Sequence, residues 1–556
     1  MSRLDQVLEF EALRAELYAA ADEMAIRLMK SSVSPIIRDF LDFSTALCLA
    51  DGRVVAQGFS LPLHLGAIPR AMQAVLESGL TFEPGDAVIV NDPYRGGMHL
   101  PDIFMIEPIF HDTDAIGFAV VVAHHSDIGG RVPGGSGADS KEIFEEGIRI
   151  PPTRVRRRWA WRSDVVELIL ANVRLPQAMQ ADLDAQAAAC AAGSEAYLAL
   201  ASRYGTSRFL ELCQFLIDYS DTALAAEIGS WPDGRYEFED YEDHDGLSDR
   251  SVPIHVVVTV DGSSVEFDFA GSSEQVRGAI NCTLSYTESA CYAAIRALCA
   301  ADIPVNAGFT RRIKVRAPEH SLVNVAFPGA VAARGVIGYR IIEAAFGALA
   351  EVLGDRIPAA GDGGTSGIRL GGYTESGRRF QYNDIVCGAW GARPLLDGLD
   401  GSAGMAANLS NRSIEVAERE DPVTVLEYGF VPDTEGAGRY RGGLAIRRAV
   451  QLLAPSATLS IRTHRRSTPP YGLAGGLPGS TSLTYLIRDG ERTLLPAKSV
   501  VEMLRGDVVE HTTASGGGYG DPQQRDRELI EKDLADRKIT LSRAQAVYAY
   551  RPHAAG

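Results

Sequence analysis

Hydrophobic residues recur along this chain with two distinct periods, which predict both helices and strands. Residues 1–30 have the charged, amphipathic pattern of a long helix, and residues 67–79 show a helical periodicity that ends at a glycine. Residues 42–58 predict two strands on either side of an Ala-Asp-Gly turn. The apolar stretch AIGFAVVVAHH, residues 115–125, predicts a buried strand that runs directly into a polar, glycine-rich loop. Catalytic groups are commonly held at such strand-to-loop junctions.

The middle of the chain changes character twice. Residues 165–225 are mostly helical in pattern, and the chain becomes β-like near Trp231 and Pro232. Helical patterns return at residues 288–300 and 339–354, around a mixed segment.

The last part of the chain predicts mainly β structure. From about residue 410 the pattern is rich in strands and turns, and residues 525–550 predict a charged helical tail. The fold class is therefore expected to be α+β, in a multidomain chain with a β-rich C-terminal part. The expected domains are an N-terminal domain that carries the candidate site (1–235), a mixed α/β middle domain (236–400) and a β-rich C-terminal domain that ends in a helix (401–556).

The composition is that of an ordinary soluble globular protein, with 46% hydrophobic and 23% charged residues. At 556 residues the chain is too long for a single hydrophobic core, which agrees with several domains. Its 54 basic and 72 acidic residues give a net charge of −18. This charge argues against nucleic acid as the main partner, because phosphate binding needs a basic surface.

Three features predict a cytoplasmic protein without membrane association. The N-terminal pattern lacks the apolar core of a signal peptide. No apolar run approaches the roughly 18 residues that a membrane span requires. The 7 cysteines are odd in number and form no CxxC pair, which argues against a disulfide framework or a zinc ribbon and favours reduced thiols.

The candidate chemistry lies in two short segments, GGMHLPDIF (96–104) and VVAHHSDIGG (121–130), although the chain has only 11 histidines. Because Pro101 separates His99 from Asp102, a turn or a strand end is expected there and not a regular helix. Two imidazoles and a carboxylate suit zinc, manganese or iron, and three protein ligands leave a position open for water. The alternative from the spacing alone is a structural His–Asp hydrogen bond in a loop.

His124 and His125 are adjacent, and neighbours on a strand point to opposite faces. One histidine is therefore expected to bind a metal, and the other to contact the substrate or to orient a ligand. Asp127 returns to the His125 face if the strand continues. The alternative for His125 and Asp127 is hydrogen bonding within the loop.

Nucleotide-binding motifs are missing from the sequence. The glycine clusters at 129–140, 361–367 and 514–522 match neither GxxxxGK[ST] nor a GxGxxG that follows a strand and opens a helix. Tight turns are the favoured interpretation of these clusters. No GxSxG sequence or cysteine–histidine spacing supports a serine or cysteine nucleophile.

Several segments, taken in order, resemble one known family. They are DFSTALCLADGRVVAQ, NDPYRGGMHLPDIFMIEPIF, AHHSDIGGRVPGGS, EEGIRIPP, LPQAMQADLDAQ, GAGRYRGGL and GGGYGDP, spread over about residues 10 to 550. They are similar to the B subunit of the hydantoinase/oxoprolinase family, which includes N-methylhydantoinase B and caprolactamase types and has homologous subunits in acetone carboxylases.

The resemblance implies ATP-dependent opening of a small cyclic amide such as a hydantoin, 5-oxoproline or a lactam. ATP and Mg would bind a partner A subunit, in an α2β2 assembly. This chain would hold a divalent transition metal (zinc, manganese or iron) on His99, Asp102 and His124, with Asp42 as a fourth ligand or a nearby carboxylate.

The expected mechanism divides the work between two subunits. The A subunit phosphorylates the carbonyl oxygen, and water activated at the metal attacks, with His125 or Asp127 relaying the proton. Asn91, Asp92 and Arg95 are candidates for orienting the site, and residues 129–137 for a pocket wall. The alternatives are a subunit of an ATP-dependent ketone carboxylase and a non-catalytic scaffold subunit.

One departure from the family pattern bears on the substrate. Met98 stands where the family usually has threonine before the histidine, which suggests a more apolar pocket and favours a lactam over a hydantoin.

Overall fold

A computed structural model describes residues 3–58, 61–135, 137–300, 302–354 and 356–552. Its α-helices are α1 (Arg3–Ser31), α2 (Pro35–Arg38), α3 (Ala67–Glu77), α4 (Ser163–Ala171), α5 (Pro176–Tyr204), α6 (Thr206–Ile228), α7 (Leu284–Leu298), α8 (Ala307–Thr310), α9 (Gly335–Leu349), α10 (Ile414–Glu420), α11 (Arg527–Ala535) and α12 (Leu541–Val547). Its β-strands are β1 (Phe43–Leu49), β2 (Val54–Gln57), β3 (Ala87–Val90), β4 (Asp102–His111), β5 (Asp114–His124), β6 (Thr153–Arg157), β7 (Ala160–Trp161), β8 (Gly234–Glu242), β9 (Val252–Asp261), β10 (Ser264–Asp268), β11 (Ile313–Arg316), β12 (Thr365–Tyr373), β13 (Arg379–Cys387), β14 (Val423–Phe430), β15 (Ile446–Leu452), β16 (Ser456–Arg462), β17 (Leu483–Arg488), β18 (Glu491–Leu494), β19 (Lys498–Leu504) and β20 (Val508–Thr512).

The N-terminal part is built on an antiparallel sheet with the strand order β2-β1-β5-β4-β3-β6-β7. Helices α1 and α5 contact one face, and α3 contacts the other. Side chains alternate between these faces, so Val120 and Val122 lie in one hydrophobic cluster while Val121 and Ala123 lie in the other. Burial on both faces explains why β5 has an uninterrupted apolar sequence.

Three further sheets complete the architecture. The second sheet has the order β11-β10-β9-β8 and contacts α9, and the third has the order β13-β12-β16-β19. The fourth sheet, β14-β15-β20-β17-β18, lies wholly in the C-terminal part. Helices and several sheets in one chain confirm the predicted α+β class with a β-rich C-terminal part.

The third sheet joins strands from both sides of the predicted boundary near residue 400, since β12 pairs with β16. The division into domains 1–235, 236–400 and 401–556 stays a prediction.

The predicted elements of the N-terminal part agree with the structure, including α1, the β1–β2 hairpin and α3. The charged tail differs, because it forms the two short helices α11 and α12. Arg537 between them has a left-handed φ of 58°, and the side chain of Thr540 caps the second helix by accepting from Arg543 N. In the described part of the chain, no helix combines the length and apolarity needed to cross a bilayer. All 7 cysteines are free thiols, as predicted.

Candidate metal centre

The candidate centre lies where three neighbouring strands end at the same edge of the N-terminal sheet. Asp102 is the first residue of β4 and His124 the last residue of β5, and the two are direct partners in the antiparallel register. Asp42 immediately precedes β1, and its carbonyl accepts from His124 N at 3.1 Å. His99 occupies the turn before β4, where its carbonyl accepts from Asp102 N at 3.1 Å. The predicted turn and strand ends are therefore present, and they bring these side chains together.

Two sets of potential metal ligands share Asp102. The ligand atoms of His99, Asp102 and His124 lie within 4.8 Å of one another, and so do those of Asp42, His64 and Asp102. The closest pair is His99 Nε2 and Asp102 Oδ1, which are 3.1 Å apart. The rings of His99 and His124 meet at an angle of 62° with centroids 5.0 Å apart.

The hydrogen bonding of His99 indicates that a cation belongs beside it. Both ring nitrogens of His99 face groups that can only accept. Nδ1 lies 3.3 Å from Ala332 O with hydrogen-bond geometry, whereas the Nε2–Asp102 Oδ1 contact lacks that geometry, so the single proton of the neutral ring is assigned to Nδ1. His99 Nε2 then carries a lone pair beside Asp102 Oδ1, so two acceptor atoms lie 3.1 Å apart. A metal-binding histidine commonly donates its other ring N–H to a backbone carbonyl in this way. The residues therefore fit a metal ion.

Five buried side-chain atoms at the centre, including the two just described, have no hydrogen-bond partner. An unpaired buried polar atom costs folding free energy, so a group of them facing one another indicates a ligand. These atoms are Asp42 Oδ1, His64 Nε2, His99 Nε2, Asp102 Oδ1 and His124 Nδ1.

Burial sets the protonation states that a metal site needs. Desolvation lowers the pKa of His99 to about 4 and holds the pKa of His124 well below its usual value. Both imidazoles are therefore neutral near pH 7, as metal ligands must be. Burial opposes ionisation of Asp102, but its interactions with His99 and with the Arg334 guanidinium outweigh burial and hold the Asp102 pKa well below its usual value. Burial, followed by repulsion from Asp102, raises the pKa of Asp42 to about 7.

His64 is a further potential ligand. It ends a short 3₁₀ turn at Pro62–His64, and its Nδ1 lies 2.9 Å from Ser44 Oγ. The Ser44 hydroxyl donates to Phe43 O at 2.9 Å, so the proton of the His64–Ser44 bond lies on Nδ1. His64 Nε2 is thus a lone pair, 3.9 Å from Asp42 Oδ1.

The centre opens into a small internal cavity of ≈ 50 Å³. Asp42, His99 and His124 line one side of it. The other polar lining residues come from later parts of the chain and are Tyr286, Arg334, Tyr339, Thr365, Arg369, Asn383 and Arg462. Arg334 forms an ion pair with Asp102 and lies 4.4 Å from the centroid of the Tyr286 ring.

Comparison with known proteins assigns the family. A model of the family described as hydantoinase B/oxoprolinase matches residues 6–522. The chain belongs to this family. The B-type chain of a putative D-/L-hydantoinase from Pseudomonas sp. (strain NS671) is 31% identical and aligns with 97% of this chain and 94% of that protein. The predicted resemblance to hydantoinase/oxoprolinase B subunits is confirmed.

Solved structures support the same relationship. The crystal structure of the ATP-dependent caprolactamase from Pseudomonas jessenii has a TM-score of 0.92 and 27% identity, covering 99% of this chain and 97% of that chain. The nucleotide-free structure of acetone carboxylase has a TM-score of 0.90, covering 98% and 80% respectively. At 18% identity, the second likeness shows a shared fold.

The two residues predicted to relay protons in this hydantoinase B/oxoprolinase family member lie outside the cluster. His125 points to the opposite face of the sheet from His124, where its Nε2 lies 3.0 Å from Gln186 Oε1 on α5. Asp127 accepts from Gly134 N at 3.1 Å and from Arg174 N at 2.6 Å, and it forms an ion pair with Arg174. These contacts hold the glycine-rich loop against the start of α5. The relay role of His125 and Asp127 stays a prediction without support from these contacts.

The residues predicted to orient the site have different positions. Asn91 braces the turn that carries His99, because its Nδ2 donates to Leu100 O at 2.7 Å and its Oδ1 accepts from Ile150 N at 2.6 Å. Asp92 accepts from Tyr94 N at 3.1 Å and caps its own turn.

Two other predicted contributors do not line the cavity. The Arg95 side chain is 63% exposed. Met98 is fully buried in the hydrophobic cluster that contains Phe104 and Val122. Met98 therefore gives no support for a lactam over a hydantoin.

Four residues of this centre are absent from the sequence predictions: His64, Arg334, Arg369 and Arg462. The segment LPLHLG offers one signal, since a histidine among apolar residues is expected to be buried and partnered. The arginines lie far from the histidine motifs in sequence, and no local spacing connects them.

Proposed function

We propose that this chain is the metal-binding, hydrolytic subunit of an ATP-dependent cyclic amidase that opens a lactam, hydantoin or 5-oxoproline ring. The observation that carries the proposal is the meeting of unpartnered donor atoms on His99, Asp102 and His124 beside the Asp42 carboxylate. The names of relatives support it, since one belongs to a putative D-/L-hydantoinase and another is an ATP-dependent caprolactamase.

The proposed metal is zinc, manganese or iron, because neutral imidazoles and carboxylates suit these divalent ions. His99, Asp102 and His124 would hold it, with Asp42 as a fourth ligand or an adjacent carboxylate. When bound, such a metal activates water at neutral pH by lowering its pKa towards about 7. Ala332 O keeps His99 Nε2 free for the metal, and Arg334 balances the charge of Asp102.

ATP is proposed to bind a partner. This chain has no phosphate-loop motif, so an A-type subunit would bind ATP and Mg, in an α2β2 assembly. The predicted cytoplasmic location is part of this proposal.

The chemistry explains why ATP is needed. An amide is a poor electrophile, because its nitrogen lone pair is delocalised into the carbonyl. Transfer of a phosphoryl group to the carbonyl oxygen activates the carbon. Addition of one water and cleavage of the C–N bond open the ring to an acyl phosphate, and a second water releases phosphate and the amino acid. The rings of Tyr286 and Tyr339 and the apolar side chain of Leu409 also line the internal cavity.

Product analysis tests this function. The chain and its A-type partner are purified together, loaded with metal, and incubated with ATP and caprolactam, a hydantoin or 5-oxoproline, with and without bicarbonate. Ring opening that requires ATP and is independent of bicarbonate is the expected result. Matched assays use His99→Ala in the centre and His111→Ala on a side chain that is 38% exposed. Only the first variant should lose activity.

The same assay separates the alternatives. A gain of carbon that depends on bicarbonate, with a ketone as substrate, would identify a carboxylase subunit. Full ring-opening activity in His99→Ala and His124→Ala, with no metal in the wild-type protein, would identify a scaffold subunit. Either result overturns the proposal.

A further inference from the structure

We infer that Arg369 and Arg462 form a subsite for a phosphoryl dianion, in the cavity that Asp42, His99 and His124 also line. This inference rests on the proposed function, because it assigns to this chain the phosphorylated carbonyl that the partner supplies. It adds to the metal centre a second binding site, which requires a ligand that carries negative charge.

The third sheet places the two guanidinium groups on the same face. In the register of β12 and β16, Gly367 lies opposite Arg462 and Arg369 lies opposite Ser460. Residues two apart on a strand share a face, so Arg369 and Arg462 are diagonal neighbours on the face that lines the cavity. A Cβ at position 367 would lie 3.6 Å from Arg462 Nε and from its Nη2, so the glycine leaves that side of the guanidinium uncovered.

Neither guanidinium forms an ion pair with a carboxylate among the described residues, and the charge of Asp42, which lines the same cavity, acts on both from a longer distance. Arg369 is 9% exposed, and its Nη1 is buried without a hydrogen-bond partner. Arg462 is partly buried, and its Nε likewise has no partner. Burial, followed by the charge of Arg462, lowers the pKa of Arg369 to about 9. Two cations in a cavity stabilise the fold poorly by themselves, so an anion is expected between them.

The other buried arginines in the described part of the chain provide an internal comparison. Each of them forms an ion pair with at least one carboxylate: Arg334 with Asp102, Arg340 with Glu242, Arg412 with Asp421, Arg441 with Asp400, Arg448 with Asp384, Arg465 with Asp240 and Arg525 with Asp397. Ion pairing with a carboxylate is therefore the rule for buried guanidinium groups in this fold. Arg369 and Arg462, which have no such ion pair, line the cavity of the candidate centre.

The number and geometry of the groups favour a phosphoryl dianion. One carboxylate is matched by a single guanidinium fork, whereas a phosphoryl group offers three oxygens and up to two negative charges to two forks. Three arginines line the cavity, and Arg334 is already paired with Asp102. The charges of Arg369 and Arg462 therefore remain for an anion. A phosphorylated carbonyl and inorganic phosphate share this chemistry, and turnover by the assembled enzyme distinguishes them.

Phosphate binding by the full-length, metal-loaded chain tests the subsite. Inorganic phosphate and acetate are titrated at constant ionic strength by calorimetry, and metal content is measured in the same samples. Arg369→Gln and Arg462→Gln should each weaken phosphate binding at least about tenfold, at unchanged metal content. Acetate should bind more weakly than phosphate. The control is Arg505→Gln, whose side chain is 51% exposed and pairs with Glu375.

Thermal unfolding separates this role from a structural one. Without phosphate, the two cavity variants should unfold at or above the wild-type temperature, because each removes an uncompensated buried charge. Phosphate should raise the unfolding temperature of the wild type and have little effect on the variants. Equal phosphate binding by wild type and variants, no binding by the wild type, or equal binding of acetate would overturn the subsite.

Turnover by the assembled enzyme shows whether the bound dianion is the phosphorylated carbonyl or released phosphate. It also tests the subsite separately from the proposed ring-opening function. With the A-type partner and ATP, the arginine variants should consume ATP and open fewer rings per ATP if the phosphorylated carbonyl is bound. An unchanged ratio would leave a site for released phosphate only and overturn the substrate role. Phosphate binding without any ring opening by the wild type would overturn the proposed function and retain the subsite.

Discussion

His99 and Asp102 place two acceptor atoms, Nε2 and Oδ1, 3.1 Å apart in the protein interior. The backbone carbonyl of Ala332 accepts a hydrogen bond from Nδ1–H, the one N–H of the neutral imidazole, and the Nε2–Oδ1 contact lacks hydrogen-bond geometry. A metal ion between the two atoms would accept both lone pairs and so replace their repulsion with two metal–ligand bonds. We therefore expect purified wild-type protein to carry about one equivalent of a transition metal per chain.

His99→Ala and His124→Ala should both lose this metal, as measured by plasma mass spectrometry. His111→Ala should retain it, since His111 lies at the far end of β4 from Asp102. Metal that is absent from the wild type, or unchanged in the two centre variants, would show that HLPD and AHHSD are structural loops.

Ser44→Ala should weaken metal binding although Ser44 is not a proposed ligand. Ser44 Oγ lies 2.9 Å from His64 Nδ1 and fixes which ring nitrogen carries the proton. Loss of an orienting partner of this kind typically costs about 10- to 100-fold in metal affinity. Competition with a chelator of known affinity measures the change, and His64→Ala should cause a loss at least as large. A metal affinity equal to that of the wild type in both variants would show that His64 is not a metal ligand.

Glu146→Gln should flatten the pH dependence of stability. Glu146 is buried, and its Oε1 accepts from Val331 N and Ala332 N at 2.8 Å each. Burial raises its pKa to about 8 from a usual 4.5. Its favourable contribution is therefore full below about pH 4.5 and is lost as the pH rises towards 8.

The neutral glutamine keeps an acceptor for both N–H groups and does not ionise. Urea unfolding at pH 5.5, 7 and 8.5 should show a smaller loss of stability in Glu146→Gln than in the wild type, by at most a few kcal/mol. Glu145→Gln is the matched control, because its side chain is 32% exposed and pairs with Arg131. Parallel wild-type and Glu146→Gln curves would contradict the prediction.

Asp127→Ala should destabilise the protein and leave the metal in place. The carboxylate is buried and holds Gly134 N and Arg174 through hydrogen bonds and an ion pair. Removing a buried carboxylate that accepts hydrogen bonds from backbone N–H groups costs about 1–3 kcal/mol. Chemical denaturation and metal analysis on the same preparation measure both effects. A stable variant that binds metal and yet opens no ring would instead favour the predicted relay.

The histidine side of the centre could be predicted from local sequence. Pro101 excludes a helix between His99 and Asp102, and the apolar run before His124 identifies a strand and where it ends. Strand alternation also separates His124 from His125 correctly, since His125 contacts Gln186 on the other face. These features depend only on residues a few positions apart.

The arginine side could not be predicted in this way. Arg369 and Arg462 become neighbours only because β12 and β16 pair in one particular register, and local periodicity does not specify which distant strands pair. His64 could not be predicted for a related reason, because its distance from Asp42 depends on how a short 3₁₀ turn packs against Ser44 of β1.

The pairing of β12 with β16 also sets the order in which the centre is completed during synthesis. Asp42, His99, Asp102 and His124 leave the ribosome early, whereas Arg462 is made near the end of the chain. A nascent chain can therefore gather its metal donors long before it has both cations of the cavity. A chain truncated before β16 would have the four donor residues without Arg462, and so without one of the two cations of the cavity.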